Sequence, residues 1–268
     1  MLAEERRFRI RGILSSQRTV SAAGLQDILK VTAATIRRDL TVLEREGVLV
    51  RSHGGAVSRI SSTSFQPAYE GLPRGDQAEK MAIAAAARKF LIDGDTIFME
   101  GSTTVFELAR SLDGFHHLTV ATNSPTIVCQ LQHWPGVTVV CTGGELQKDQ
   151  FYLSGLWAQR AISEIRVDKA VMGMTAIDPK YGHSCASPAE AQVKRMLVKA
   201  GKVRIGLVDG TKFGKQAFVQ VGPVSDFDTI ITDSGADPAY INALRQAGVE
   251  VIVAEVEKTV KTRHQGRD

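Results

Sequence analysis

Two residues, Lys30 and Val31, are all that separates one helical pattern from the capping residue of the next. Leu25, Ile28 and Leu29 form an apolar stripe, with Ser21 placed as its N-cap. Ile36, Leu40 and Leu43 repeat at helical spacing behind Thr32, a second capping side chain, and Gly47 stops the run. Helices joined so tightly predict a helix-turn-helix. A preceding helix contributes the stripe Ile10, Ile13 and Leu14. After Gly47, the segment Val48-Leu-Val-Arg-Ser-His53 is rich in β-formers and is turned by Gly54-Gly55, which predicts a wing.

Charge is distributed to match. The chain of 268 residues has a net charge of +4, but residues 1–60 hold 11 Lys/Arg against 6 Asp/Glu and the remainder 22 against 23. The basic excess lies where a polyanion would meet the tight helix pair. On a helical wheel, Ile36, Leu40 and Leu43 turn inward, Ala34, Arg38, Thr41 and Arg45 point away, and Thr35 and Arg37 flank them. Small residues at the helix start allow close approach to a groove, and arginines bond guanine edges or phosphates. Double-stranded DNA is the expected partner.

The stretch Arg59 to Pro67 is rich in hydroxyls, lacks helical periodicity and ends at a proline. It divides the chain into a DNA-binding unit at 1–60, a linker at 61–75, a second domain at 76–257 and a basic tail at 258–268.

The second domain alternates helical and strand patterns. A helix is expected over Glu79 to Leu91, a strand over Thr96 to Glu100, a Gly-Ser-Thr-Thr loop and a helix over Val105 to Leu112. Further strands are expected at Leu118 to Ala121, Val137 to Cys141, Lys169 to Met172, Val203 to Val208, Thr229 to Thr232 and Val249 to Val253. The fold class is therefore α/β: a winged helix-turn-helix followed by a mostly parallel sheet covered on both faces. Ligands in such sheets bind beyond the carboxyl ends of the strands. Gly101, Ser102, Thr103 and Thr104 stand there before a helix start, as a phosphate cradle would. Asn123 and Ser124, Gly143 and Gly144, and Asp209 with Lys212 follow other strands, while Asp168 starts one. Tyr181 to Cys185 reads as a polar loop near this edge, and Trp157 as core or a subunit contact.

Thr35-Ile-Arg-Arg-Asp-Leu40, followed by Leu43, Gly47, Arg51 and His53-Gly-Gly-Ala56, resembles the DeoR family of bacterial transcriptional regulators. The resemblance implies that Thr32, Ala33 and the residues through Arg45 form the recognition helix, and that Arg51, His53 and Gly54 belong to a wing against the DNA. The family more often has an acidic residue near Gly24, a glycine near Lys30 and Asp at Glu100. The second domain is similar to the DeoR sensor domain, with the fold of ribose-5-phosphate isomerase. Its landmarks include Glu100 to Thr104, Asp168-Lys169, Glu190 with Lys194, and Asp209 with Lys212. The resemblance implies a phosphorylated sugar as effector, with Glu100 and Glu190 in its site and the phosphate on Gly101 to Thr104 near Lys212.

Two classes of function compete. A repressor of a carbohydrate-use operon needs the winged helix; an isomerase-like enzyme does not, and a shared sheet does not carry activity. An activator would carry the same motifs as a repressor. One recognition helix reads too few base pairs for a unique site, so a homo-oligomer, dimer or tetramer, is expected. No apolar run approaches the roughly 18 residues of a membrane span, and Met1 to Gly12 carries acids and arginines where a signal peptide is apolar. Cys129, Cys141 and Cys185 suit neither a disulfide framework nor a metal site, so a cytoplasmic protein without metal or cofactor is expected.

Overall fold

The computed structural model describes residues 2–17, 19–46, 48–52, 54–58, 77–147 and 152–256. The linker at 61–75, all of Arg59 to Pro67, the tail at 258–268, Gly47 and His53 fall outside the described residues.

The first unit runs α1 (Ala3–Gln17), β1 (Thr19–Ser21), α2 (Ala22–Leu29), α3 (Ala33–Arg45), β2 (Leu49–Ser52) and β3 (Gly55–Ser58). Its core joins Ile10, Ile13 and Leu14 to Leu25, Leu29, Ile36, Leu40, Leu43, Leu49 and Ala56. Ile28 departs from expectation. It is 54% exposed, because α2 packs along the Leu25–Leu29 row and that row alone meets the neighbouring elements. Ser21 caps α2 by accepting from the Gly24 amide at 3.0 Å. The turn closes on Lys30, whose φ of 53° is left-handed and whose amide bonds Gln26 O. That conformation is why a glycine suits this position.

The wing is a three-stranded antiparallel sheet in the order β1-β3-β2. Strand β1 is too short to show a period in the sequence. Gly54 takes the turn at φ 89°, whereas Gly55 lies in β3. A Cβ on Gly55 would stand 2.0 Å from Val20 O, so only glycine lets β1 pair there.

The second unit runs α4 (Gln77–Arg88), β4 (Thr96–Met99), α5 (Thr103–Arg110), β5 (Leu118–Thr122), α6 (Pro125–Leu131), β6 (Val137–Cys141), β7 (Glu145–Gln147), β8 (Tyr152–Ser154) and α7 (Gly155–Ser163). It continues with β9 (Val167–Gly173), β10 (Ala176–Asp178), β11 (Gly182–Cys185), α8 (Pro188–Ala200), β12 (Gly201–Leu207), β13 (Val219–Gly222), β14 (Thr229–Asp233), α9 (Pro238–Gln246) and β15 (Glu250–Ala254). A parallel sheet in the order β15-β14-β12-β9-β4-β5-β6 forms its centre. Successive residues of a strand face opposite layers. Ile97, Met99, Val171, Ile205 and Ile231 pack under α4, α5 and α6; Phe98, Ala170, Met172 and Ile230 pack with residues of α7, α8 and α9.

Two boundaries differ usefully. Helix α4 ends at Arg88, before the turn that buries Leu91. Helix α5 starts at Thr103 because Ser102 Oγ takes the Val105 amide, so Thr103 and Thr104 form its first turn and the loop is shorter than expected. Gly182–Cys185 is a strand, not a polar loop. It is buried throughout, with His183 bonded to Asp226 and Ser184 Oγ accepting from the Ala217 amide. Burial pushes the Cys185 thiol up to about 12. Trp157 is 78% exposed and is not core.

Candidate functional site

Helix α3 presents the face its pattern predicts. Ile36, Leu40 and Leu43 are buried; Thr32, Ala34, Arg37, Arg38 and Arg45 are exposed; Ala33, Thr35 and Thr41 are half-buried. Thr32 Oγ1 accepts from the Thr35 amide at 3.4 Å and lies 3.0 Å from Thr35 Oγ1. The capped start aims the remaining first-turn amides outward, where a phosphate could accept from them.

Asp39, on the inward face, is buried and bonded to Arg6 of α1. Arg51 of β2 is tied to the same helix. Its amide donates to Glu44 Oε1 at 3.0 Å, and its Nη1 lies 3.4 Å from Thr41 Oγ1, which in turn donates to Arg37 O. Glu44, which pattern reading left aside, thus holds the wing against the helix. Gly54 stands exposed at the described end of the wing.

The second candidate site lies beyond the carboxyl ends of the central strands. Following the sheet from β14 to β6, those ends carry Asp233, Asp209, Gly173, Glu100 with Gly101, Asn123 with Ser124, and Thr142 with Gly143 and Gly144. Asn123 Oδ1 accepts from the Gly101 amide at 2.9 Å and its Nδ2 donates to Leu153 O. A Cβ on Gly101 would stand 2.8 Å from Tyr152 Cβ, so the loop lies flush against β8. Ser102 caps α5 and Ser124 caps α6. Gly143, at φ 66°, is open, but a Cβ on Gly144 would meet Ser154 O at 2.4 Å. Gly144 therefore serves packing.

Glu100 is buried with both oxygens engaged. Oε2 accepts from the Gly173 amide at 2.9 Å and Oε1 from Lys194 Nζ. Lys194, also buried, donates further to Gly173 O at 2.7 Å and lies 3.5 Å from Glu190 Oε1. Burial works against its ammonium, but Glu100 and Glu190 outweigh that and raise its pKa. The Lys194 contacts were not foreseen; the signal available was the four-residue spacing from Glu190, one helical turn. Tyr152, pushed up to about 12 by burial, reaches Ser187 Oγ at 3.2 Å.

Asp209 accepts from the Thr211 amide and lies 3.9 Å from Lys212 Nζ, while the Gly210 amide donates to Asp233. Lys212 stands two strands from the Gly101 loop, about 10 Å at ordinary strand spacing. Asp168 is not part of this edge. It sits at the amino end of β9, about 17 Å of strand from Gly173. There Lys202 and Thr96 bond its carboxylate and hold it well below the usual carboxylate range. A residue that opens a parallel strand faces away from the ligand edge, whatever its charge.

Among the described residues no cluster of His, Cys, Asp and Glu could hold a metal ion, and no helix is long and apolar enough to cross a membrane.

Residues 6–62 match the model of the DeoR-like helix-turn-helix domain, and residues 76–234 that of the DeoR C-terminal sensor domain. The HTH-type transcriptional repressor GlcR of Bacillus subtilis is 31% identical over 96% of this chain and 99% of its own. The putative aga operon transcriptional repressor of Escherichia coli O157:H7 is 31% identical over 93% of each. The ribose 5-phosphate isomerase A of Methanocaldococcus jannaschii aligns with 52% of this chain and 55% of its own at 15% identity and a TM-score of 0.38, a likeness too slight to bear on function.

Proposed function

This chain belongs to the DeoR family of transcriptional regulators, and from that membership we propose that it represses an operon for carbohydrate use and lets go of its operator when a phosphorylated sugar binds the sheet edge. It is a DNA-binding regulator and not an enzyme, as its relatives are. The observation that carries the DNA reading is the sorting of α3: arginines 37, 38 and 45 exposed on one side, and Ile36, Leu40 and Leu43 buried on the other. Arg37, Arg38, Thr35, Thr41 and Arg45 meet the major groove, with Thr32, Ala33 and Ala34 at close approach. Arg51, His53 and Gly54 follow the backbone.

The effector's phosphate accepts from the Thr103 and Thr104 amides, which have no acceptor within α5, and from the hydroxyls of Ser102, Thr103 and Thr104. Lys212 supplies the charge. Asn123 and Ser124 hold the loop. A phosphate there shifts the equilibrium only if the DNA-competent and incompetent states bind it unequally. Two or four copies act together, because one helix reads too little sequence.

Footprinting on the DNA upstream of the chain's own gene and its neighbours, repeated with a panel of sugar phosphates, tests the whole reading. A protected site that a panel member releases is expected. Protection that no sugar phosphate changes would remove the effector half. A light-scattering mass equal to one chain, with tight operator binding, would remove the oligomer.

A further inference from the structure

Among the described residues of the second unit, the two most exposed large apolar side chains are consecutive. Leu156 and Trp157, at 75% and 78% exposure, stand in the first turn of α7, whose inner side buries Ala158 and Ile162. At 3.6 residues per turn, Leu156, Trp157, Arg160, Ser163 and Glu164 fall within one arc of about 120°, and all five are exposed. An outward helix face led by a tryptophan and a leucine inverts the usual pattern, in which the polar side meets water. Val140, also exposed, faces the same layer from the edge strand β6. It registers with Ala121, which shares a core with Ile162 of α7.

The charges beside these apolar residues complement one another across a two-fold axis. Glu145 is exposed, and its Oε1 would lie 2.9 Å from a Cβ on Gly155, which puts a carboxylate at the first residue of α7. The Arg160 side chain is exposed too; its Nε donates to Glu164 Oε1 at 3.1 Å, and a guanidinium with five donors has capacity for a second carboxylate. Gly155 and Arg160 stand equally far along the helix from the step between Trp157 and Ala158. A two-fold axis at that step runs two copies of α7 antiparallel and sets each Arg160 level with the other copy's Glu145. The α7 face offers on the order of 500 Å² a copy, so a pair buries about 1,000 Å², where specific interfaces begin. Its make-up, an aromatic and a leucine at the centre with an arginine at the rim, is that of an interface.

We propose that a second copy of this chain docks on this face, as an isologous pair about a two-fold axis beside Trp157, with Arg160 against Glu145 of the other copy. This rests on the reading above that copies act together, and names the surface by which they do so. The same patch on both copies closes the pair, so association stops there unless another surface extends it. Leu156 and Trp157 supply the buried area, and the two Arg160–Glu145 pairs set the antiparallel register.

The test measures the mass of the full-length protein by light scattering over a dilution series, with far-UV circular dichroism as the check on folding. Trp157→Glu should halve the wild-type mass while keeping its spectrum, because the side chain it replaces lies in solvent in the single chain. Arg160→Glu should raise the dissociation constant at least tenfold, and adding Glu145→Arg to it should restore association by exchanging the two charges. The charge exchange decides alone if Trp157→Glu loses the wild type's helical spectrum. A folded Trp157→Glu variant of undiminished mass overturns the proposal, as does a charge exchange that restores nothing; either leaves standing the reading that copies act together. A wild-type mass of one chain at every concentration, with tight operator binding, removes that reading and the proposal with it.

Discussion

Arg6 and Asp39 are joined across 33 residues of chain, with the guanidinium Nε and Nη2 on the two carboxylate oxygens. The pair fixes α1 to the inward face of α3, one residue from Arg38 and two from Arg37. Asp39 is 2% exposed, so removing its partner would strand a buried charge. Arg6→Ala should cost about 3–5 kcal/mol of the first unit's stability in urea unfolding of the full chain. A loss below about 1 kcal/mol would show that the pair contributes little.

Arg37 and Arg38 are exposed beside this fixed face. Replacing either with Ala should weaken operator binding by about 1–3 kcal/mol. Loss of a base-reading arginine relaxes specificity, whereas loss of a phosphate contact flattens the dependence of affinity on salt and leaves specificity unchanged. Titrations at several salt concentrations, on operator and scrambled DNA, separate the two. Undiminished binding in the double variant would remove α3 as the reading element.

Lys30 holds a left-handed φ of 53° in the turn between α2 and α3. Lys30→Gly should relieve about 1 kcal/mol of strain and raise the melting temperature of the first unit by several degrees. A drop would mean that the lysine side chain contributes more than its backbone costs.

Lys212 is the charge proposed for the effector's phosphate. With Lys212→Ala, the effector concentration that half-releases the operator should rise tenfold or more, read by fluorescence anisotropy of labelled operator. An unchanged release curve would place the phosphate elsewhere.

His183 is buried against Asp226 and Phe227, with Lys194 and Arg195 also acting on it. Burial lowers its pKa below the usual value of about 6.5, against the opposing pull of Asp226. The unfolded chain then takes up a proton that the folded chain refuses. This contribution to stability is complete above about pH 6.5, declines as pH falls from there, and levels off below the folded pKa. Melting curves between pH 5 and 8 should show the decline, and His183→Gln should flatten it.

Local patterns carried a long way because they are set by neighbours in the chain. The caps at Ser21 and Thr32 need only an amide three residues on, and the inward triad of α3 and the apolar runs of the central strands depend on periods of 3.6 and two residues. The same reasoning placed Gly101, Asn123, Gly143 and Asp209 beyond strand ends, since alternating elements imply a parallel sheet with one ligand edge. It failed where chemistry depends on which edge a residue occupies, or on partners far along the chain. Asp168 has the right residue type at the wrong end of its strand. Ile28 has the right spacing on a helix that offers only one row to its neighbours.

By itself, the sequence determined a capped helix pair with an arginine face, a parallel α/β sheet behind it and the list of polar residues at its edge. Only the tertiary structure decided what those residues do to one another. Glu100 and Lys194 are 94 residues apart and meet because β4 and β9 are neighbours in the sheet and α8 packs across them. That crossing saturates Lys194, commits Glu100, and leaves one oxygen of Glu190 without a donor among the described residues. Hydrogen-bond capacity belongs to a residue type, but whether it is spent depends on the fold.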